Sequence, residues 1–303
     1  MVRIAEPARD YGAIADMRSA HEGVPITAAE LERRDADMKQ GATVYRFVAD
    51  EDGVIAGTGF VAHSIWRSEG VWVIGILVAS LHRRHGHGSA MLEFGQAIAE
   101  RAGAVEVRCN VREEDSASLD FGEGRGYSTL AHSYESTLDL SQFDRALPDC
   151  GLPIISFAES PMGEREQRKL WVLHTETAAD EPQFQGYAPK FEDFVANVIG
   201  ASWFDPAGQF FAVDGDDWVG TSAISRYRPG ECYNLFTGVF RSHRGRGIAK
   251  ALKVRSCNYA KSLGIGLLRT HNDSRNAPMI AINKWLGYVP EPGWIVLTKS
   301  LSG

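Results

Sequence analysis

The chain has 303 residues, 44% of them hydrophobic and 10% aromatic, enough to bury one large core or two ordinary ones. A formal net charge of −7 excludes broad nucleic-acid or membrane-surface binding, which needs a wide excess of Lys and Arg, so any basic residues that matter act locally. Four cysteines without CxxC or ligand spacing (Cys109, Cys150, Cys232, Cys257), no apolar h-region at the N-terminus and no apolar run of spanning length predict a reduced, cytoplasmic protein with no disulfide framework, zinc site or membrane anchor.

In chain order, two early helices precede the β-rich run "FVADEDGVIAGT" (residues 47–58) and a strand that reaches Val78. The glycine-containing loop "HRRHGHGS" (residues 82–89) comes next, then a helix with Met91, Gly95, Ile98 and Ala102 on one stripe and Gly103 as its stop. "AVEVRCNV" (residues 104–111) is a strand; a short helix ending at Gly126-Tyr127 and a last strand follow. Turn residues and prolines cluster over residues 140–153, which places a boundary near Cys150 and predicts two domains, 1–150 and 151–303. After two more helices the series restarts. "GQFFAVDGDDWVGTSAISRY" (residues 208–227) reads as a hairpin turning at Asp214-Gly215-Asp216, and "ECYNLFTGVF" (residues 231–240) as a strand ending at a second loop, "HRGRGIA". A helix with Ile248, Leu252, Tyr259 and Leu263 on one stripe stops at Gly264, and the strand "IGLLRTHN" (residues 265–272), a helix to Gly287-Tyr288 and a final strand complete the copy.

The halves superimpose residue by residue. At a separation of 161 residues, His82 matches His243, Arg83 matches Arg244, Gly86 matches Gly247, Gly103 matches Gly264 and Gly126-Tyr127 matches Gly287-Tyr288. Two glycines between a strand and a helix let the backbone turn tightly and let a ligand approach free amides at the positive end of the helix dipole, where arginines add charge-assisted bonds. One such loop is ordinary strand-to-helix chain; the same loop twice in the same context points to a phosphate or pyrophosphate site. Neither copy is a P-loop or a Gly-x-Gly-x-x-Gly fingerprint.

"RRHGHG" (residues 83–88) and "RGRGIA" (residues 244–249), together with the order of elements, resemble the Arg/Gln-x-x-Gly-x-Gly/Ala loop of the GNAT superfamily of acyl-CoA-dependent N-acyltransferases. The resemblance covers the whole chain and is closer in the second half. It implies an α/β (α+β) protein of two GNAT-like domains, each a mixed, mostly antiparallel sheet flanked by helices, the first a degenerate copy and the second catalytic. It implies acetyl-CoA as cofactor, with no metal. The pyrophosphate would lie on Arg83, Arg84, His85, Gly86, His87, Gly88 and Ser89 in the first half and on Arg244, Gly245, Arg246, Gly247, Ile248 and Ala249 in the second. Backbone groups of Leu77 and Val78, or of Gly238 and Val239, would hold the pantetheine arm. The activity implied is direct transfer of an acetyl group to a primary amine of a small molecule by a monomer with two pseudo-symmetric halves, a dimer being the other arrangement.

The chain departs from the superfamily where the chemistry sits. Relatives often place a glutamate base six residues before the valine, where this chain has Trp72 and Tyr233; Glu231, two residues earlier, is a substitute base or a charged strand end. The acid is often a tyrosine where this chain has Gly122 and Asn283; Asn283 can hydrogen-bond a sulfur but not protonate it, which leaves water or another group. These departures leave a non-catalytic acyl-CoA sensor as the alternative function. Other features carry less. His82, His85 and His87 cluster, but only His82 has a counterpart in the second half, so a metal site is not expected. Trp203-Phe204, Trp218 and Trp285 are pocket or core. The acidic stretch "TETAADEP" (residues 175–182) would attract a cationic amine or form a solvated loop.

Overall fold

The computed structural model describes residues 1–38, 41–179 and 187–301. They form two compact units: one comprises Met1–Val111, Ala117–Leu130 and the chain end from Val296, the other Arg112–Ser116 and Ala131–Ile295.

In the first unit, β1 (Val2–Ile4), α1 (Pro7–Glu22) and α2 (Ala28–Ala36) precede β2 (Thr43–Glu51), β3 (Val54–His63) and β4 (Val71–Val78). α3 (His87–Arg101), β5 (Glu106–Arg112) and α4 (Ser116–Glu123) follow, leading into β6 (Ser128–Asp139). β1 to β4 form an antiparallel run, and β4 pairs in parallel with β5. The first two helices cover β2 through Tyr11, Ile14, Leu31 and Val48. On α3 the buried stripe runs through Met91, Leu92, Gly95 and Ala99; Ile98 is half-buried and Ala102 exposed, a small correction to the expected stripe. Gly95 sets how close α3 lies, because a Cβ there would come within 2.6 Å of Ile74 Cδ1.

The second unit repeats the order. β7 (Ile154–Ser156), α5 (Glu164–Ala178) and α6 (Phe191–Phe194), the last continued by a π-helical turn over Val195–Ile199, precede β8 (Gln209–Asp214), β9 (Asp217–Arg228) and β10 (Glu231–Val239). α7 (Ile248–Ser262), β11 (Leu267–Asp273), α8 (Ala277–Leu286) and β12 (Val289–Ser300) close the chain. The strand order is β6-β11-β10-β9-β8-β7, parallel only between β10 and β11. α7 buries Ile248, Ala251 and Leu252 against Phe210, Val219 and Val239. A second cluster joins Val254 and Cys257 of α7 to Leu268, Leu286 and Tyr288.

Each unit draws a strand from the other end of the chain. β6, in the first half by sequence, pairs with β11 from Ser133↔Asp273 to Asp139↔Leu267. The end of β12 lies beside β5, where Thr298 Oγ1 donates to Glu106 Oε1 at 2.7 Å and the Leu301 amide to the Val105 carbonyl at 2.8 Å. The restart near Cys150 therefore marks the repeat, while the compact units have other limits. An unpaired edge on β5 or β11 would leave its amides and carbonyls exposed, and a strand from elsewhere in the chain satisfies them. All four cysteines are free, and no described helix is long and apolar enough to cross a membrane.

Candidate active site

The two glycine loops fold alike. Gly86 and Gly247 cap α3 and α7 with φ of 87° and 79°, the left-handed region that glycine enters without strain. Two residues earlier the copies differ in sequence and agree in shape, with Arg84 at φ 66° and Gly245 at φ 78°. Neither helix has a side-chain cap, and a Cβ on Gly86 or Gly247 would meet nothing within 4 Å, so the first amides face open space. The leading arginine turns back on its strand in both loops: Arg83 Nε donates to the Val78 carbonyl at 3.3 Å and Arg244 Nε to that of Val239 at 3.1 Å. A histidine braces each loop to the preceding hairpin, His82 on Glu51 at 3.0 Å and His243 on Asp214 at 3.2 Å. His87 adds a third possible ligand atom within 4.8 Å of the first pair; Ile248 stands there in the second copy. Ser89 Oγ accepts from Arg125, while Arg84, His85 and Arg246 are exposed.

In both units the parallel pair is short: β4 and β5 pair over Val71–Val73 and Glu106–Arg108, and β10 and β11 over Glu231–Tyr233 and Leu267–Arg269. The units diverge just beyond it. A bulge at Leu235 follows: Asn234 faces Ile224 while Phe236 faces Ala223, so one extra residue kinks β10. β4 keeps a regular register against β3 from Val73 to Val78. Beyond Tyr233 a cleft of about 130 Å³ opens, lined by Asn234, Thr237, Lys253, Thr270, His271 and Asn272 among others. Gly238, near its mouth, must be glycine because a Cβ there would collide with Thr177 of α5.

The cleft is walled by buried polar groups. Lys253, 2% exposed, donates from Nζ to Asn234 Oδ1 at 2.5 Å and lies 5.3 Å from the centre of the Tyr288 ring; burial lowers its ammonium to about 8. Asn234 is held by the Ala223 carbonyl at 2.9 Å and by Thr270 Oγ1, which donates to its carbonyl at 3.1 Å. Asn283 Nδ2 donates to Asn272 Oδ1 at 2.5 Å; among the described residues, Asn283 Oδ1 and the Tyr288 hydroxyl are buried without a partner. Buried polar atoms of this kind are costly unless a ligand satisfies them. Tyr233 Oη and His271 Nδ1 share a hydrogen bond at 2.8 Å. Glu231 is engaged elsewhere, accepting from Arg269 Nε at 2.8 Å while Arg269 also holds Glu291 at 2.9 Å.

The sequence pattern characteristic of the acetyltransferase (GNAT) family matches twice, at residues 13–127 and 170–288. The chain belongs to the GNAT family. Its curated relatives include a mycothiol acetyltransferase of Thermomonospora curvata, 27% identical over 91% of this chain and 88% of the relative, and one of Kineococcus radiotolerans, 31% identical over 78% of each. Two solved structures share the tandem fold: a GCN5-related N-acetyltransferase from Sphaerobacter thermophilus (TM-score 0.76, 22% identity, 99% of this chain and 95% of that one) and a tandem GNAT protein from the clavulanic acid biosynthesis pathway (TM-score 0.77, 18% identity, 100% and 99%). The protein is thus a tandem GNAT acyltransferase.

In this GNAT protein the residues expected at the site separate into two groups. Tyr233 and Asn283 each hydrogen-bond a residue that lines the cleft, His271 and Asn272; Glu231 stands at the start of β10, paired to Arg269. In the first unit, Leu297 Cδ1 would lie 2.7 Å from a Cβ on Gly122, so the position of the missing acid is filled, and Trp72 is buried against Tyr45. Sequence reasoning missed Lys253, Asn234 and His271. The repeat itself held a signal, since Lys253 and Asn234 stand where the first half has Leu92 and Val73. Of the tryptophans, Trp218 stacks on Phe211 at 4.0 Å in the core, Trp285 packs against the core, and Trp203 is exposed. Within the acidic stretch, residues 175–178 end α5 and residues 180–182 lie outside the described residues.

Proposed function

We propose that the second unit binds acetyl-CoA and transfers its acetyl group to a primary amine of a small molecule, in the cytoplasm and as a monomer. One observation carries this reading: beside the bulge of β10, which the first unit lacks, lies a cleft lined by the buried polar groups of Asn234, Lys253 and Thr270, on the strand that leads to the uncapped loop of Gly247. The residues fit coenzyme A. The amides of residues 245–249 and the dipole of α7 would take the pyrophosphate, with Arg246 adding charge. Among the described residues, the edge of β10 at Gly238 and Val239 has no strand partner on the β11 side and would take the amide-rich arm. When bound, acetyl-CoA supplies the activated acyl group.

The remaining work belongs to the chain. His271 Nε2 is the group placed to take the amine proton, with Nδ1 oriented by the Tyr233 hydroxyl. Glu231, read from the sequence as a substitute base or a charged strand end, is the second candidate, but its carboxylate is shared with Arg269. Asn283 holds the side chain of Asn272, which lines the cleft, through its Nδ2. The acceptor amine is chosen by experiment: acetyl-CoA consumption against a panel of thiol-sugar precursors, aminoglycosides, amino acids and polyamines. Thiol-sugar precursors come first because of the name borne by the relatives. His271→Gln is expected to lower kcat roughly a hundredfold and Glu231→Gln less than about threefold. The reverse ranking gives the proton to Glu231, and coenzyme A binding without turnover of any amine makes the protein a sensor.

A further inference from the structure

Neither departure from the family pattern supplies a proton for the leaving sulfur. Asn283 has none to give, and Tyr288, whose hydroxyl is buried and unpartnered, is held far above its ordinary pKa by burial. His271, held at Nδ1 by Tyr233, already serves as the base for the amine in the reading above. One protonated group lines the cleft from beneath. Lys253 projects from the second turn of α7 into the gap between β10 and β11, where Asn234 fixes its Nζ. The groups facing it are Cys257 on its own helix, with a thiol pushed up to about 12, Tyr288 at the head of β12, Asn234 on β10 and Thr270 on β11. Among the described residues no carboxylate pairs with it. A structural lysine would gain a counter-charge or send its head to water; this one has an amide oxygen and a ring face. The first unit has Leu92 there, and Val73 where Asn234 stands.

We propose that Lys253 is a catalytic residue, the acid that protonates the departing thiolate of coenzyme A. The inference rests on the cofactor reading above. As the amine nitrogen bonds to the acyl carbon, the carbon–sulfur bond breaks and its electron pair stays on sulfur. Lys253 Nζ then gives that sulfur a proton, while the proton lost by the amine passes to His271 and on to water. Lys253 regains a proton from water, so each turnover yields one amide and one thiol. An ammonium near 8 suits the role, since a donor close to the thiol's own value near 8.5 transfers its proton without a large uphill step.

The test begins without turnover. Coenzyme A is titrated on the wild-type protein and on Lys253→Met, with thiolate absorbance as the readout and calorimetry for affinity. A neighbouring ammonium stabilises the thiolate, so the bound thiol is expected to titrate about one unit lower on the wild type than on the variant. In steady-state assays, Lys253→Met is expected to lower kcat at least tenfold at neutral pH, leave KM for acetyl-CoA within about threefold, and lose the fall in rate above about pH 8. Should Lys253→Met fail to fold, Lys253→Gln carries the same comparison. Equal thiol titration with intact binding overturns the role of Lys253 alone. Absence of coenzyme A binding to the wild-type protein overturns the cofactor reading beneath it.

Discussion

Burying an ammonium against an amide oxygen and a ring costs stability, and the cost has a pH signature. Lys253 falls from an ordinary 10.5 to about 8 on folding. Between those values the unfolded chain binds more protons than the folded one, so the penalty is complete below pH 8, shrinks as pH rises and is gone above 10.5. The shift corresponds to roughly 3 kcal/mol. Lys253→Met, which keeps the volume and discards the charge, is therefore expected to raise stability at pH 7 by about 1–2 kcal/mol after loss of the Asn234 hydrogen bond, with the gain fading towards pH 10.5. Urea denaturation at several pH values measures it. A variant less stable than the wild type at pH 7 would show that the amine stabilises the fold. Retaining a residue that weakens the protein is expected where it serves chemistry.

At the level of elements, the loop and the strand before it carry different shares of the function. The loop was legible: glycines at a strand-to-helix junction imply positive φ and exposed amides, and both copies have them. Gly247→Glu places a carboxylate over those amides and is expected to weaken coenzyme A binding at least a hundredfold by calorimetry. Gly86→Glu is expected to leave that binding unchanged, because the first unit has a regular β4, a filled acid position and Leu92 and Val73 in place of Lys253 and Asn234. Loss of binding in Gly86→Glu would move the cofactor to the first unit. The cleft was not legible. A bulge adds one residue without disturbing the apolar pattern of "CYNLFTGV", and Lys253, one step past a buried leucine on α7, reads as the polar side of an amphipathic helix. Pairing of Glu231 with Arg269, 38 residues later, depended on two strands meeting in parallel register.

For the whole molecule, strand exchange makes each half dependent on the other's chain. A 1–150 fragment carries β6 without β11 and leaves β5 without the end of β12; a 151–303 fragment leaves the edge of β11 bare. Each fragment alone is expected to lack a cooperative thermal transition, and co-expression of the two to restore one near that of the full chain, read by circular dichroism. A cooperative melt of either fragment alone would make the repeat boundary a folding boundary as well. Sequence alone determined the duplication, the element order, the paired glycine loops and the family, because these follow from local backbone preferences and short-range spacing read twice along one chain. Tertiary structure decided which strands complete each unit, where the bulge falls in β10, and that Lys253 and His271, which no motif marked, line the cleft beside it. Those outcomes depend on strand register and on contacts between residues far apart in sequence, which no periodicity in the chain encodes.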